Sequence, residues 1–170
     1  MGKKIAVIID DMFEDSEYQK PADAFRDAGH ELVHLGVKAG AEVKGKKEGT
    51  TVKIDQAVTE AQPDRFDALL IPGGYSPDRL RVSPDAVAFA RKFMDDGKPV
   101  FSICHGAQLL VTAKALEGRK ATGWKSIRQD LIYAGAEYCD QEVVVDGNLV
   151  TSRQPSDLPA FIEAARKKLQ

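Results

Sequence analysis

The chain of 170 residues carries 24 Lys and Arg against 26 Asp and Glu, a formal net charge of −2, and 43% of its residues are hydrophobic. That length supports one domain with a substantial core, spanning residues 1–170, and the near-balanced charge offers no electrostatic footprint for nucleic acid or an anionic membrane. No apolar run approaches the ~20 residues that cross a bilayer, and the run Ile5–Ile9 behind Lys3 and Lys4 is too short for a signal peptide, so the chain reads as cytoplasmic, with Cys104 and Cys139 as free thiols.

In chain order, short β-branched runs alternate with helical patterns, which predicts an α/β domain with a mainly parallel sheet. Lys4 to Ile9 reads as a first strand covered on both faces. A helix follows with its interior at Ala22 to Ala28, Gly29 as its stop and Pro21 in its first turns or at a kink. Glu31 to Leu35 reads as the second strand, and a Gly- and Lys-rich excursion leads to a hairpin strand near Thr51 to Ile54. Asp67 to Ile71 is a buried strand stopped by Pro72-Gly73-Gly74. Ser83-Pro84-Asp85 starts a helix whose inner face carries Ala86, Phe89, Ala90 and Phe93, with Gly97 as the stop. Pro99 to Ile103 is the next strand, and a helix is expected from Gly106 to Ala115. Strands near Lys120 to Thr122, Glu142 to Val145 and Leu149 to Ser152, a helix from Ser126 to Ala134, and a last helix capped by Ser156-Asp157 complete the pattern.

In an open parallel sheet the active crevice lies beyond the carboxyl ends of the strands, and Cys104 stands at one. On a tight strand-to-helix turn, with Gly106 allowing the sharp backbone, a thiol meets free N–H groups and a positive helix end, both of which favour thiolate. The competing reading is a buried cysteine acting as a small hydrophobe, which is the reading kept for Cys139. The chain has three histidines. His30 belongs at the opposite edge of the sheet and His34 inside a strand, which leaves His105 as base. The Cys104-x-Gly106-x-Gln108 spacing is similar to the elbow of class I glutamine amidotransferases. No histidine follows His105, so neither their triad nor a papain-like one is available.

Two further segments reach the same edge. Glu14, in Asp11-Met-Phe-Glu-Asp-Ser-Glu17, is placed to donate a hydrogen bond to the sulfur when protonated, or else complements a helix N-terminus with Asp15 and Glu17. Gly73-Gly74 offers converging N–H groups for an oxyanion, or a tight turn. Asp78 orients His105 or sits in a solvated turn with Arg79 and Arg81. No cofactor or metal is expected: no glycine loop for phosphate follows the first strand, and Asp10-Asp11 there repels phosphate.

The stretches Phe13-Glu14-Asp15, Phe66 to Gly74, Gly97-Lys-Pro-Val100, Ile103-Cys-His-Gly106, Ser126 to Ile132, Ala134-Gly-Ala136, Glu142 to Asn148 and Thr151-Ser-Arg153 together resemble the PfpI family of cysteine peptidases and stress proteins, in the superfamily that includes the Parkinson-disease-associated deglycase. The resemblance implies a flavodoxin-like three-layer sandwich, Cys104 as nucleophile with Glu14 bonded to it, His105 as base, and Gly74 with the backbone around His105 as oxyanion donors. It further implies a homodimer or a hexamer of dimers, in which Asp78 stands where hexameric peptidases carry a glutamate. Ala107 follows the elbow glycine where the family commonly has proline. The function expected is a cysteine-dependent hydrolase in stress or protein-damage defence, taking a peptide or a small carbonyl adduct. The alternative is an oxidation-sensing, chaperone-like protein.

Overall fold

Apolar runs without polar alternation form the centre of the molecule, because each central strand is covered on both faces. In the computed structural model, which describes residues 2–170, the elements run β1 (Lys4–Ile8), α1 (Asp15–Asp27), β2 (Glu31–Gly36), β3 (Glu42–Lys44), β4 (Thr51–Lys53), β5 (Gln56–Ala57), β6 (Ala68–Ile71), α2 (Ser76–Leu80), α3 (Pro84–Asp95), β7 (Val100–Ile103), α4 (Ala107–Thr112), β8 (Lys120–Ala121), α5 (Arg128–Tyr133), β9 (Glu137–Tyr138), β10 (Val144–Asp146), β11 (Leu149–Ser152) and α6 (Leu158–Lys168). Among the described residues no helix is long and apolar enough to cross a membrane.

The main sheet has seven strands in the order β10-β11-β7-β6-β1-β2-β5, parallel except for the β10–β11 hairpin. Side-chain alternation sorts its residues into two cores. Ala6, Ile8, Leu69 and Ile71 face Phe89, Phe93 and Leu109 on one side, while Ile5, Val7, Leu70 and Phe101 face Phe25, Leu158 and Phe161 on the other. This is the flavodoxin-like sandwich expected. The chain leaves β1 in one direction to reach β2 and returns on its other side to β6 and β7, so the reversal of strand order lies between β1 and β6. At such a reversal the loops part and leave a crevice at the carboxyl ends.

The local expectations hold at several points. Ser83 Oγ accepts from Ala86 N at 3.3 Å, and β3 pairs with β4 as a hairpin. Pro21 falls in the second turn of α1, among the first turns expected. Others are corrected. The helix after the elbow starts as a 3-10 turn at Cys104–Gly106 and ends at Thr112. Residues 76–80, read as a turn, form a short helix. The Asp157 carboxylate does not cap α6: it receives Arg153 N, Nε and a terminal guanidinium nitrogen instead, the last two at 2.9 Å.

Candidate active site

Three adjacent strands, β1, β6 and β7, each deliver one loop to the same edge. Cys104 follows β7 directly and takes φ of 61°, a left-handed conformation that costs a non-glycine residue and recurs at functional turns. The turn closes because Gly106 has no Cβ: one there would stand 2.5 Å from the Ile71 carbonyl oxygen. The side chain is 8% exposed, and His105 Nδ1 lies 3.4 Å from Sγ.

The carboxyl beside the sulfur is Glu17. It is wholly buried, and Oε1 accepts from Gly73 N at 3.0 Å. A Cβ on Gly73 would meet Glu17 Oε1 at 2.3 Å and Cys104 Cβ at 3.0 Å, so that glycine lets the two side chains converge. Burial, reinforced by the neighbouring Glu14 charge, pushes the Glu17 carboxyl up to about 8. It therefore holds its proton at neutral pH; its second oxygen makes no hydrogen bond among the described residues, and the carboxyl is close enough to the Cys104 thiol for the two groups to influence each other's ionisation. The thiol itself is pushed up by burial and, once Glu17 ionises, by that charge, while the His105 backbone N–H and Lys46 pull it down.

Glu14 differs from its expected place. Its carboxylate turns to the lysines of the 45–50 loop, with Lys46 Nζ and Lys47 Nζ each 3.1 Å from one of its oxygens. The acid that stands beside the sulfur is thus Glu17, one turn further along, rather than Glu14. The stripe Glu17, Tyr18, Pro21, Ala22 and Phe25 is the buried face of α1, and extending the apolar positions of that helix backward would have reached Glu17. Asp15 is also buried and acts on the loop: its carboxylate accepts from Lys47 N at 2.9 Å, Glu48 N at 3.3 Å and Thr50 N at 3.1 Å. Burial works to raise Asp15, and these N–H bonds outweigh it and hold the group below its ordinary value. Lys46, which the sequence offered no reason to single out, is thereby brought over the crevice, its own N–H fixed to Phe13 O at 2.9 Å.

The oxyanion positions separate. Gly73 N is occupied by Glu17. Among the described residues, the Gly74 N–H has no protein acceptor. Asp78 pairs with Arg81 Nε at 3.1 Å and makes no hydrogen bond to His105 among the described residues. Burial lowers the His105 imidazole, aided by Lys46 and opposed by Asp78, so the ring is neutral at pH 7 and free to accept a proton. Lys46, Gly74, Tyr75, Asp78, His105 and Gln108 line a pocket of about 280 Å³.

The other histidines lie elsewhere. His30 Nδ1 accepts from Lys3 N at 3.0 Å at the far edge of the sheet. His34 bridges the Tyr18 hydroxyl at 2.8 Å and Asp55 Oδ2 at 3.1 Å. Cys139 is half-buried, with its sulfur 3.6 Å from Glu137 O. No cluster of His, Cys, Asp and Glu among the described residues is arranged to hold a metal ion.

Relatives of known sequence and structure match nearly the whole chain. The chain is 56% identical over 170 residues to protein/nucleic acid deglycase 2 of Escherichia coli, covering 99% of each. It is 56% identical over 162 residues to general stress protein 18 of Bacillus subtilis, covering 95% of this chain and 94% of that one. Among solved structures, a two-domain protein from Anabaena variabilis with DJ-1/ThiJ/PfpI-like and ferritin-like domains superposes with a TM-score of 0.96 at 42% identity, over 98% of this chain and 48% of that one. Residues 3–168 match the DJ-1/PfpI family from end to end, and the chain belongs to that family.

Proposed function

We propose that the protein is a cysteine-dependent hydrolase of stress and protein-damage defence, acting in the cytoplasm on carbonyl adducts of the kind that dicarbonyls leave on amino groups. The observation that carries this reading is the Cys104 sulfur on its left-handed elbow, 3.4 Å from a neutral His105 nitrogen and beside the protonated Glu17 carboxyl. The relatives named as a deglycase and a general stress protein support the same direction.

In the first step the thiol proton passes to His105 Nδ1 and the sulfur adds to the carbonyl carbon. The π electrons move onto the carbonyl oxygen, toward the Gly74 N–H on the pocket wall. Glu17, neutral and hydrogen-bonded, keeps the sulfur oriented without adding a negative charge to repel the thiolate. Peptide-bond cleavage demands more, because an oriented imidazolium must protonate a poor amine leaving group. Asp78 faces Arg81 rather than His105, and this favours carbonyl adducts over peptides within one subunit. A homodimer, or a hexamer assembled from dimers, is part of the reading. Met12 and Tyr75, exposed and adjacent at the mouth of the crevice, favour a second copy there.

A second reading rests on Glu17. A buried carboxyl holding its proton stabilises oxidised sulfur as well as thiolate, which favours an oxidation sensor without turnover. Assay of purified protein and Cys104→Ser on a dicarbonyl, a glycated amino acid and casein separates these. The proposal expects turnover of one of the first two, lost at least ~100-fold in the variant as for removal of a nucleophile. Full activity in Cys104→Ser would sink it. No turnover together with selective peroxide oxidation of Cys104 would establish the sensor in its place.

A further inference from the structure

The pocket beside Cys104 has a feature that thiol chemistry alone does not require. The 45–50 loop places two ammonium groups, Lys46 and Lys47, against one carboxylate, Glu14. The other groups around the pocket add no balancing negative charge: Asp78 is matched by Arg81, His105 is neutral, and Glu17 keeps its proton. The remaining acids of the segment bind backbone: Asp15 is buried against the 45–50 loop, and Asp11 accepts from Lys44 N at 2.9 Å. Of the pair, Lys47 extends into solvent, whereas Lys46 lines the pocket with its ammonium 5.6 Å from the Tyr75 ring centroid. Partial burial works to lower the Lys46 ammonium and Glu14 outweighs it, so the charge persists at neutral pH. A fixed cation on the wall of a small pocket that His105 also lines, close enough to act on the Cys104 thiol, attracts whichever end of a substrate is negative.

We infer that Lys46 is a specificity-determining residue that selects substrates bearing a carboxylate close to the carbonyl that Cys104 attacks, as in 2-oxo acids and in adducts of free amino acids. This rests on the reading of Cys104 as the attacking group. The carboxylate is not consumed: it sits against the Lys46 ammonium while the carbon–sulfur bond forms next to it. Asp15 is a positioning residue for this contact, since its three backbone hydrogen bonds shape the loop from which Lys46 projects.

Two alkylating reagents of nearly the same shape test the inference without turnover. Iodoacetate is an anion and iodoacetamide is neutral. Each is attacked by the thiolate at its methylene carbon, forms a carbon–sulfur bond and releases iodide. In a Cys139→Ser background, the ratio of the two rates at Cys104 is measured for Lys46, Lys46→Met, Lys46→Arg and Lys47→Met. The expected result is a roughly tenfold fall in the iodoacetate to iodoacetamide ratio in Lys46→Met, with recovery in Lys46→Arg and less than about a twofold change in Lys47→Met, the size expected for one partly screened charge near the reacting atom. An unchanged ratio, equal slowing of both reagents, or an equal fall in Lys47→Met would each overturn it. If Cys104 proves not to turn over carbonyl substrates, the alkylation ratio still reports on Lys46, so the two failures are separable.

Discussion

Cys104 and Cys139 are both free thiols near the end of a strand, and their surroundings differ in every respect that bears on reactivity. Cys104 sits at φ of 61° between a buried acid and an imidazole, at the carboxyl edge of the main sheet. Cys139 follows the two-residue strand β9, outside the main sheet, and its sulfur lies 3.6 Å from the Glu137 carbonyl oxygen. The residue type is common to both. What separates them is the strand-order reversal, which gathers the segments after β1, β6 and β7 around Cys104.

The largest expected effect comes from closing the space that makes the elbow. Gly106→Ala places a methyl 2.5 Å from the Ile71 carbonyl oxygen and 2.8 Å from Ser102 Oγ. Backbone must move, and a loss of about 2–3 kcal/mol is expected, at the upper end for overpacking a tight site. Denaturant unfolding checks it, and activity should fall with it.

Glu17→Gln is next. The amide preserves shape and a donor toward the sulfur but cannot ionise. As pH rises through about 8 the wild-type carboxyl becomes charged and suppresses the thiolate. The ratio of Cys104 alkylation rates, variant over wild type, should therefore grow by roughly tenfold between pH 7 and 9.5, one pKa unit of like-charge repulsion. The same substitution alters stability. Glu17 has its folded value raised above 4.5, so the native state binds more protons than the unfolded one between 4.5 and about 8, and stability falls as pH rises across that window. Thermal midpoints of Glu17→Gln should depend less on pH there. An unchanged slope would mean that the proton is not held.

Asp15→Asn removes the charge that gathers the N–H groups of the 45–50 loop. A cost of about 1–2 kcal/mol is expected, because an amide retains one acceptor oxygen for them. Wild-type Asp15, held below its ordinary value, contributes stability present above that value and lost as pH falls through the folded one, so the variant should narrow its deficit in acid. The smallest effect belongs to Cys139→Ser, a half-buried site with one weak contact, where a change within about 0.5 kcal/mol is expected by chemical denaturation.

The fold was legible because the central strands announce themselves. Ile5 to Ile9 and Ala68 to Ile71 are unbroken apolar runs and Val100 to Ile103 is broken only by Ser102, and the segments that follow them carry Glu14 and Glu17, Gly73 and Gly74, and Cys104 and His105. That placed the right segments together. Which acid of the first loop turns inward was not legible from segment order, because Glu14 and Glu17 both follow β1 and only the phase of α1 separates them. Lys46 was invisible for a different reason. Its position depends on Asp15 binding the backbone of a loop more than thirty residues away, and local pattern carries no trace of such a contact. Asp78 was readable as a residue of the edge, but its pairing with Arg81 depends on the short helix α2, which Pro77 and the preceding glycines disguised as a turn.

The contrast between the two thiols is also the most direct test of the whole account. Turnover of a glycated amino acid and of a dicarbonyl should be measured side by side for the wild type, Cys104→Ala and Cys139→Ser. Cys139→Ser should match the wild type, and Cys104→Ala, folded by circular dichroism, should lose at least ~100-fold in kcat/KM. Activity retained in Cys104→Ala, or lost equally in both variants, would contradict it.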